Sequence, residues 1–209
     1  MNKKLFFICL VFALVFTSML TAKSVGLNLE AGVAYTNHQL HYFSNNTGTD
    51  GFKHQWIRSK SLFGFNLGIS YPLPKNWSVF VNTTFAFNNT FVNDTMLGAG
   101  YIFKPGRGVD IFLGGGLGFG GSVFKWASGS ISTTYKFFNI GAGINLTASF
   151  MFTDKIGMYV GISDTYYKPV SGKWSTKVGD KNSSGDISSG EMPDLAKSIN
   201  GRLGVKIKL

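Results

Sequence analysis

The strongest pattern in the chain is a two-residue alternation of apolar and small polar positions that recurs eight times. Stepping by two from Val25 gives Val25, Leu27, Leu29, Ala31, Val33 and Tyr35, with Gly26, Asn28, Glu30, Gly32 and Ala34 between them. Period two puts one set on each face of an extended strand. A second strand sets Phe63, Phe65, Leu67, Ile69 and Tyr71 against Gly64, Asn66, Gly68 and Ser70, and a third sets Trp77, Val79, Val81, Thr83, Phe85 and Phe87 against Ser78, Phe80, Asn82, Thr84 and Ala86. The fourth carries Leu97, Ala99, Tyr101 and Phe103, and the fifth Val109, Ile111, Leu113, Leu117 and Phe119. The sixth carries Phe138, Ile140, Ile144, Leu146 and Phe150, and the seventh Ile156, Met158, Val160 and Ile162. The eighth sets Ile199, Leu203, Val205, Ile207 and Leu209 against Asn200, Arg202, Gly204, Lys206 and Lys208.

The connections alternate in kind. Short turns are expected near Pro72, Pro105 and Asp154. The other side has a long loop after Tyr35 to about Ser59, a short one near Asn89, a loop over 125–134 and a long one over 168–195. A soluble barrel would show water a face rich in Lys and Glu. Here the non-apolar face is mostly Gly, Asn, Ser and Thr, which suits a narrow lumen. The apolar face ends in aromatics: Tyr71, Trp77, Tyr101 and Phe103 at one level, Tyr35, Phe63, Phe87 and Phe138 at the other. Aromatic girdles at two interfaces, and short turns on one side only, mark a membrane barrel. The predicted fold is therefore all-β, an eight-stranded antiparallel transmembrane β-barrel with up-and-down meander topology.

The start of the chain fits export. Lys3 and Lys4 precede an apolar run over 5–16, and Thr17, Ser18, Thr21 and Ala22 follow. This reads as a signal peptide over 1–22, its apolar run being too short to span a bilayer, with the barrel over 23–209 in a bacterial outer membrane and the long loops extracellular. The lone cysteine, Cys9, lies in that signal, so the exported part carries no thiol chemistry. The formal charge is +10, and without Lys3 and Lys4 it stands at 18 basic against 10 acidic residues. The cations are scattered singly through alternating strands and loops, which argues against nucleic acid and for anionic surfaces or membrane lipid headgroups as partners.

With the strands in place, the chain resembles the small outer-membrane β-barrel proteins, the class of outer membrane proteins A, W and X. The last strand carries the most specific part of the likeness: Arg202, Gly204, Ile207 and Leu209 match the spacing of the signal that such barrels present to the barrel-assembly machinery, with Leu209 where an aromatic usually stands. The resemblance implies that machinery as a partner.

Four local features bear on chemistry. Asp180, Asn182, Ser184, Gly185, Asp186, Ser188 and Glu191 follow the spacing of a twelve-residue calcium loop, in which alternating oxygens and a distant carboxylate wrap a Ca2+ ion; Gly179 and Pro193 favour a plain Ser/Gly/Asp loop instead. His38, His41 and His54 fall in the expected first loop and read as solvated residues rather than metal ligands. Gly116, Gly118 and Gly121 match a dinucleotide fingerprint by chance, inside a strand with no helix after it. In the lumen, Glu30 on the first strand should pair with Arg202 or Lys206 on the closing strand, because a buried charge needs a partner.

Eight strands leave an interior that side chains fill. The functional expectation is a surface-exposed scaffold, not an enzyme, whose long loops bind an external ligand or cation through Tyr42, Phe43, Lys53, Trp56, Arg58, Lys173, Trp174 and Lys177. The alternative is a porin-like narrow path for small or apolar solutes through the glycine-rich lumen.

Overall fold

The computed structural model describes residues 26–41 and 59–209. Within them run β1 (Asn28–His41), β2 (Ser59–Pro72), β3 (Trp77–Phe87), β4 (Thr90–Gly106), β5 (Val109–Ser128), β6 (Ile131–Met151), β7 (Ile156–Val178), β8 (Lys181–Asp186) and β9 (Leu195–Lys208). All but β8 form a closed ring in which each strand pairs with its neighbours in sequence, β7 passes to β9, and β9 closes on β1. The chain is thus an eight-stranded antiparallel transmembrane barrel. The expected signal peptide over 1–22, and Tyr42, Phe43, Lys53, His54, Trp56 and Arg58 of the first loop, lie outside the described residues.

On one side the strands run further than the alternation indicates. The expected loop over 125–134 is a hairpin, paired from Lys125 and Thr134 out to Ser128 and Ile131, with Gly129 at φ 56° in its turn. The expected loop over 168–195 supplies the upper half of β7, a turn at Gly179 (φ 58°) and then β8, which pairs with β7. These segments carry Ser, Thr and Lys on the face that is apolar lower down, so the apolar period vanishes while Thr, Val, Trp and Tyr still favour extended backbone. The result is a four-stranded sheet, β5 to β8, standing on one side of the barrel. At its base β7 carries a bulge: Phe138 and Asn139 of β6 face Ser171 and Pro169, with Val170 left over. Proline has no N–H to give a ladder, and a bulge is where a strand tolerates it.

The barrel is inverted in polarity. Val33, Phe63, Leu117 and Ile144 stand outward, 66%, 70%, 58% and 63% exposed, while Asn66, Asn139, Thr165 and Ser198 inside are 0% exposed. An apolar surface of this extent has no counterpart on soluble monomers and calls for a hydrocarbon surround. Trp77 packs edge-on against Tyr101 and Tyr101 against Phe103 at one rim, Tyr35 against Phe63 and Phe87 against Phe91 at the other. These are the two girdles. Among the described residues no helix is long and apolar enough to cross a membrane.

The pairing fixes the shape. From Tyr35, the ladder leads one way through Phe63, Phe87, Phe91 and Val123 to Lys136, and the other way through Gly201 and Ile162 to Leu146, ten residues further along β6. Such a stagger over eight strands tilts them by about 40°. Tight curvature needs corners without side chains. Gly32 faces Gly204 and Gly98 faces Gly116, and a Cβ on any of these would sit within 2.1–2.2 Å of a neighbouring carbonyl oxygen.

Candidate functional site

The lumen is built in layers from alternate residues of the ring. Nearest the short turns, Lys208 on β9 pairs with Asp110 on β5 at 3.1 Å. One layer up, Glu30 and Lys206 stand opposite in the β1–β9 ladder and pair at 3.7 Å, and Lys206 donates to Ser149 Oγ at 3.1 Å. Of the two cations expected beside Glu30, Lys206 makes the ion pair. Arg202, 3% exposed, donates from Nη2 to Asn145 Oδ1, while its Nε and Nη1 find no partner among the described residues. The cavity in this region measures about 20 Å3, bounded by Glu30, Phe80, Asp110, Phe112, Asn145 and Lys206. That is room for about one water molecule.

Above it lies a node that the alternation did not reveal. Asp94, 4% exposed on β4, accepts a hydrogen bond from the Tyr167 hydroxyl and another from Asn200 Nδ2 at 2.6 Å. Thr36 Oγ1 donates to Asn200 Oδ1 at 2.7 Å, so four strands are joined through one carboxylate. Beside it Asn66 donates to Asn82 at 2.8 Å and accepts from Tyr159 at 3.0 Å. Buried polar groups satisfied in this way lock the strands together. The mouth above is closed by apolar side chains, Leu40, Phe124, Phe137, Tyr167 and Ala196, with Tyr135 and Ile187 against them, and by a second group of Leu62, Ala86 and Val92.

His38 differs from its expectation. It is 1% exposed within β1 rather than solvated in a loop, because β1 runs on to His41 and turns alternate residues inward. Its Nδ1 lies 2.7 Å from Ser198 Oγ, and its ring is 6.0 Å from that of Phe124. The outward residues at this height, Asn37, Gln39 and Ser61, are polar, so His38 stands beyond the membrane belt. Burial pushes its pKa down to about 4. A histidine against a serine is the core of many nucleophilic sites, but here both side chains are sealed in the mouth and Nε2 finds no orienting acid among the described residues.

The sheet of β5 to β8 has two unlike faces. Its inner face carries Phe137, Gly172 and Trp174, and Phe137 belongs to the apolar cap of the mouth. Its outer face carries Lys136, Lys173 and Lys177. So of the loop residues expected to bind a ligand, Lys173 and Lys177 share one face of β7 and Trp174 takes the other. Asp180 sits in the turn beside Gly179, and Asn182, Ser184 and Asp186 alternate along extended β8, against Lys177, Ser175 and Lys173. Ser188 and Glu191 follow at a short 3-10 turn, Ser189–Glu191. The extended strand spreads Asn182, Ser184 and Asp186 along a line. Among the described residues, no three acidic, His or Cys side chains stand close enough together to hold a metal. The four residues expected to form an assembly signal lie on β9 and its end, Arg202 and Gly204 facing inward and Ile207 outward, with Leu209 N–H donating to Leu27 O at 2.8 Å.

The barrel is similar to three solved outer-membrane proteins. Neisserial surface protein A is 15% identical, aligning over 88% of this chain and 97% of that one with a TM-score of 0.58. A major outer membrane protein from Thermus thermophilus is 12% identical over 86% and 99% of the two chains, with a TM-score of 0.55. The outer membrane protein OprG from Pseudomonas aeruginosa is 12% identical over 90% and 97%, with a TM-score of 0.52. Likeness at such identities is a likeness of fold. No curated protein matches the chain in sequence. A family model described as "Domain of unknown function (DUF2715)" matches residues 17–209.

Proposed function

The chain belongs to the family described as Domain of unknown function (DUF2715), and we propose that it is an outer-membrane scaffold, a closed barrel that holds its tall extracellular sheet and loops out to bind a ligand from outside the cell. The observation that carries this reading is the filled lumen. Ion pairs, an amide and hydroxyl network and an apolar cap occupy it in turn, and the cavity beneath is about 20 Å3. A path for solutes would have to break several buried polar contacts at once, each costing about 1–3 kcal/mol if left unpaired. The sheet, by contrast, adds a long polar surface that the barrel needs for nothing else.

The test is single-channel conductance of the refolded protein in a planar bilayer, with insertion confirmed by a heat-dependent gel shift. A scaffold gives inserted protein and no current steps. Reproducible steps that change when Glu30→Gln is introduced would replace this reading with a solute path.

A further inference from the structure

On the lipid-facing surface of the barrel, β9 carries a glycine that the fold does not require. The outward residues of its lower part are Ile199, Gly201, Leu203, Val205 and Ile207. Gly201 has no positive φ, and a Cβ there would meet nothing within 4 Å. Neither backbone geometry nor close packing calls for glycine, which weakens a strand. The missing side chain leaves an open apolar groove of about 360 Å3, walled by Val33, Tyr35, Phe63 and Leu203.

A polar cluster stands just beyond the groove on the same surface. Lys197 Nζ donates to Tyr166 Oη at 2.7 Å, pairs with Asp164 Oδ2 at 3.1 Å and lies 4.5 Å from the centre of the Tyr166 ring. The ladder places this cluster at the edge of the apolar belt. Gly201 shares its row with Tyr35 of the outer girdle and with Ile162. The next outward row is Asn37, Ile199 and Asp164, and the one after it, Gln39, Lys197 and Tyr166, is polar throughout. On these three strands hydrocarbon ends and headgroups begin.

Charge on the lipid face of a barrel is costly, and this pair is not saturated. Lys197 has a third N–H, and the Tyr166 hydroxyl, which accepts from Lys197, still has its proton to give. Asp164 is 29% exposed, and its Oδ1 finds no donor among the described residues. A carboxylate turns easily about its last bond, so there is room for a second donor. The cluster thus offers two donors to an anionic oxygen and an acceptor to a cationic N–H, with no net charge of its own. We propose that this surface binds a phospholipid with a primary-amine headgroup. One acyl chain lies in the Gly201 groove, the phosphate accepts from Lys197 and Tyr166, and the ammonium donates to Asp164. A net-negative headgroup would leave its charge unbalanced, and a quaternary one has no N–H for the carboxylate. A second copy of the barrel fits badly, because two convex cylinders meet along a line and neither fills the other's groove. Such contact would also desolvate the Lys197–Asp164 pair. The site is independent of what the loops bind.

The test uses the protein refolded in detergent micelles and titrated with phosphatidylethanolamine, phosphatidylcholine or phosphatidylglycerol of the same acyl chains, with bound lipid counted by native mass spectrometry. Phosphatidylethanolamine should bind saturably at one site, about tenfold more tightly than either of the others, the worth of one charge-assisted hydrogen bond. Asp164→Asn should remove most of that preference. Lys197→Gln should weaken all three lipids, and Lys197→Arg should keep them. Gly201→Leu, checked for closure by its gel shift, should weaken all three by filling the groove. Gly201→Ala should do so to a smaller extent, and stands in if the leucine variant does not close. Leu117→Ala, on the far side of the barrel, should change nothing. Equal affinity for the three lipids overturns the proposal, as does phosphatidylglycerol binding as well as phosphatidylethanolamine. Unchanged affinity in both glycine variants overturns it too. A dimer mass that Gly201→Leu disperses would overturn it in favour of a second copy of the chain.

Discussion

Glu30 lies between Gly68 on one side and Lys206 on the other, and each charge there is tolerable because the other is present. Replacing Glu30 with Gln leaves a buried ammonium with a hydroxyl for company, and should cost about 3–5 kcal/mol. That is readable as a lower urea midpoint for the protein refolded in lipid vesicles. Glu30→Leu with Lys206→Met should recover most of the loss, since it removes both desolvated charges. His38 makes a second prediction, with its sign set by burial. Its pKa is about 4 when folded and about 6.5 when unfolded, so the unfolded chain binds the extra proton. Its contribution is complete above pH 6.5 and is lost at about 1.4 kcal/mol per pH unit as pH falls from there towards 4. Urea midpoints at pH 7.5 and 5 should differ more for the native protein than for His38→Phe. Glu30 and Lys206 were legible in the sequence because an apolar residue stands on each side of each. Asp94 was not, since Asn93 and Thr95 flank it and a run of three polar residues shows no face. Tyr167 was hidden in the same way, inside a segment whose outward residues, Tyr166 and Lys168, are themselves polar-tipped.

Strands are where expectation and structure part most visibly. Oxygen donors at alternate positions, Asp180, Asn182, Ser184 and Asp186, satisfy the first half of a calcium loop and equally one face of a β-strand, because both have a period of two. In the structure Asn182, Ser184 and Asp186 lie along β8, paired with β7, and a pairing partner is invisible to a local motif. The corner glycines make the prediction for this scale. Gly32→Val and Gly98→Val would drive a side chain against a carbonyl at 2.1 Å, and neither variant should show the heat-dependent gel shift of a closed barrel. Gly121→Ala, where a Cβ meets nothing within 4 Å, should fold normally.

As a whole, the molecule is a short cylinder with its apolar surface outside. Along β3 the girdle-to-girdle stretch runs from Trp77 to Phe87, ten steps at about 2.4 Å of height each, or roughly 24 Å. That is thinner than an average hydrocarbon core of about 30 Å. Refolding should therefore be faster and more complete in vesicles of 12-carbon than of 18-carbon phosphatidylcholine, followed by the same gel shift. This dimension could be read from the sequence once strand boundaries were placed, as could the inside and outside of the ring; the height of the sheet could not, since nothing apolar marks it.

The seam between β1 and β9 also sets an order in time. Thr36 bonds to Asn200 across 164 residues of chain, and His38 meets Ser198 across 160. The earliest strand to leave the ribosome must therefore wait, unpaired along one side, until nearly everything else has been made and exported. During that wait its only protection is whatever escorts it, and a chain that stalls before β9 carries an open ring that no later event can shut.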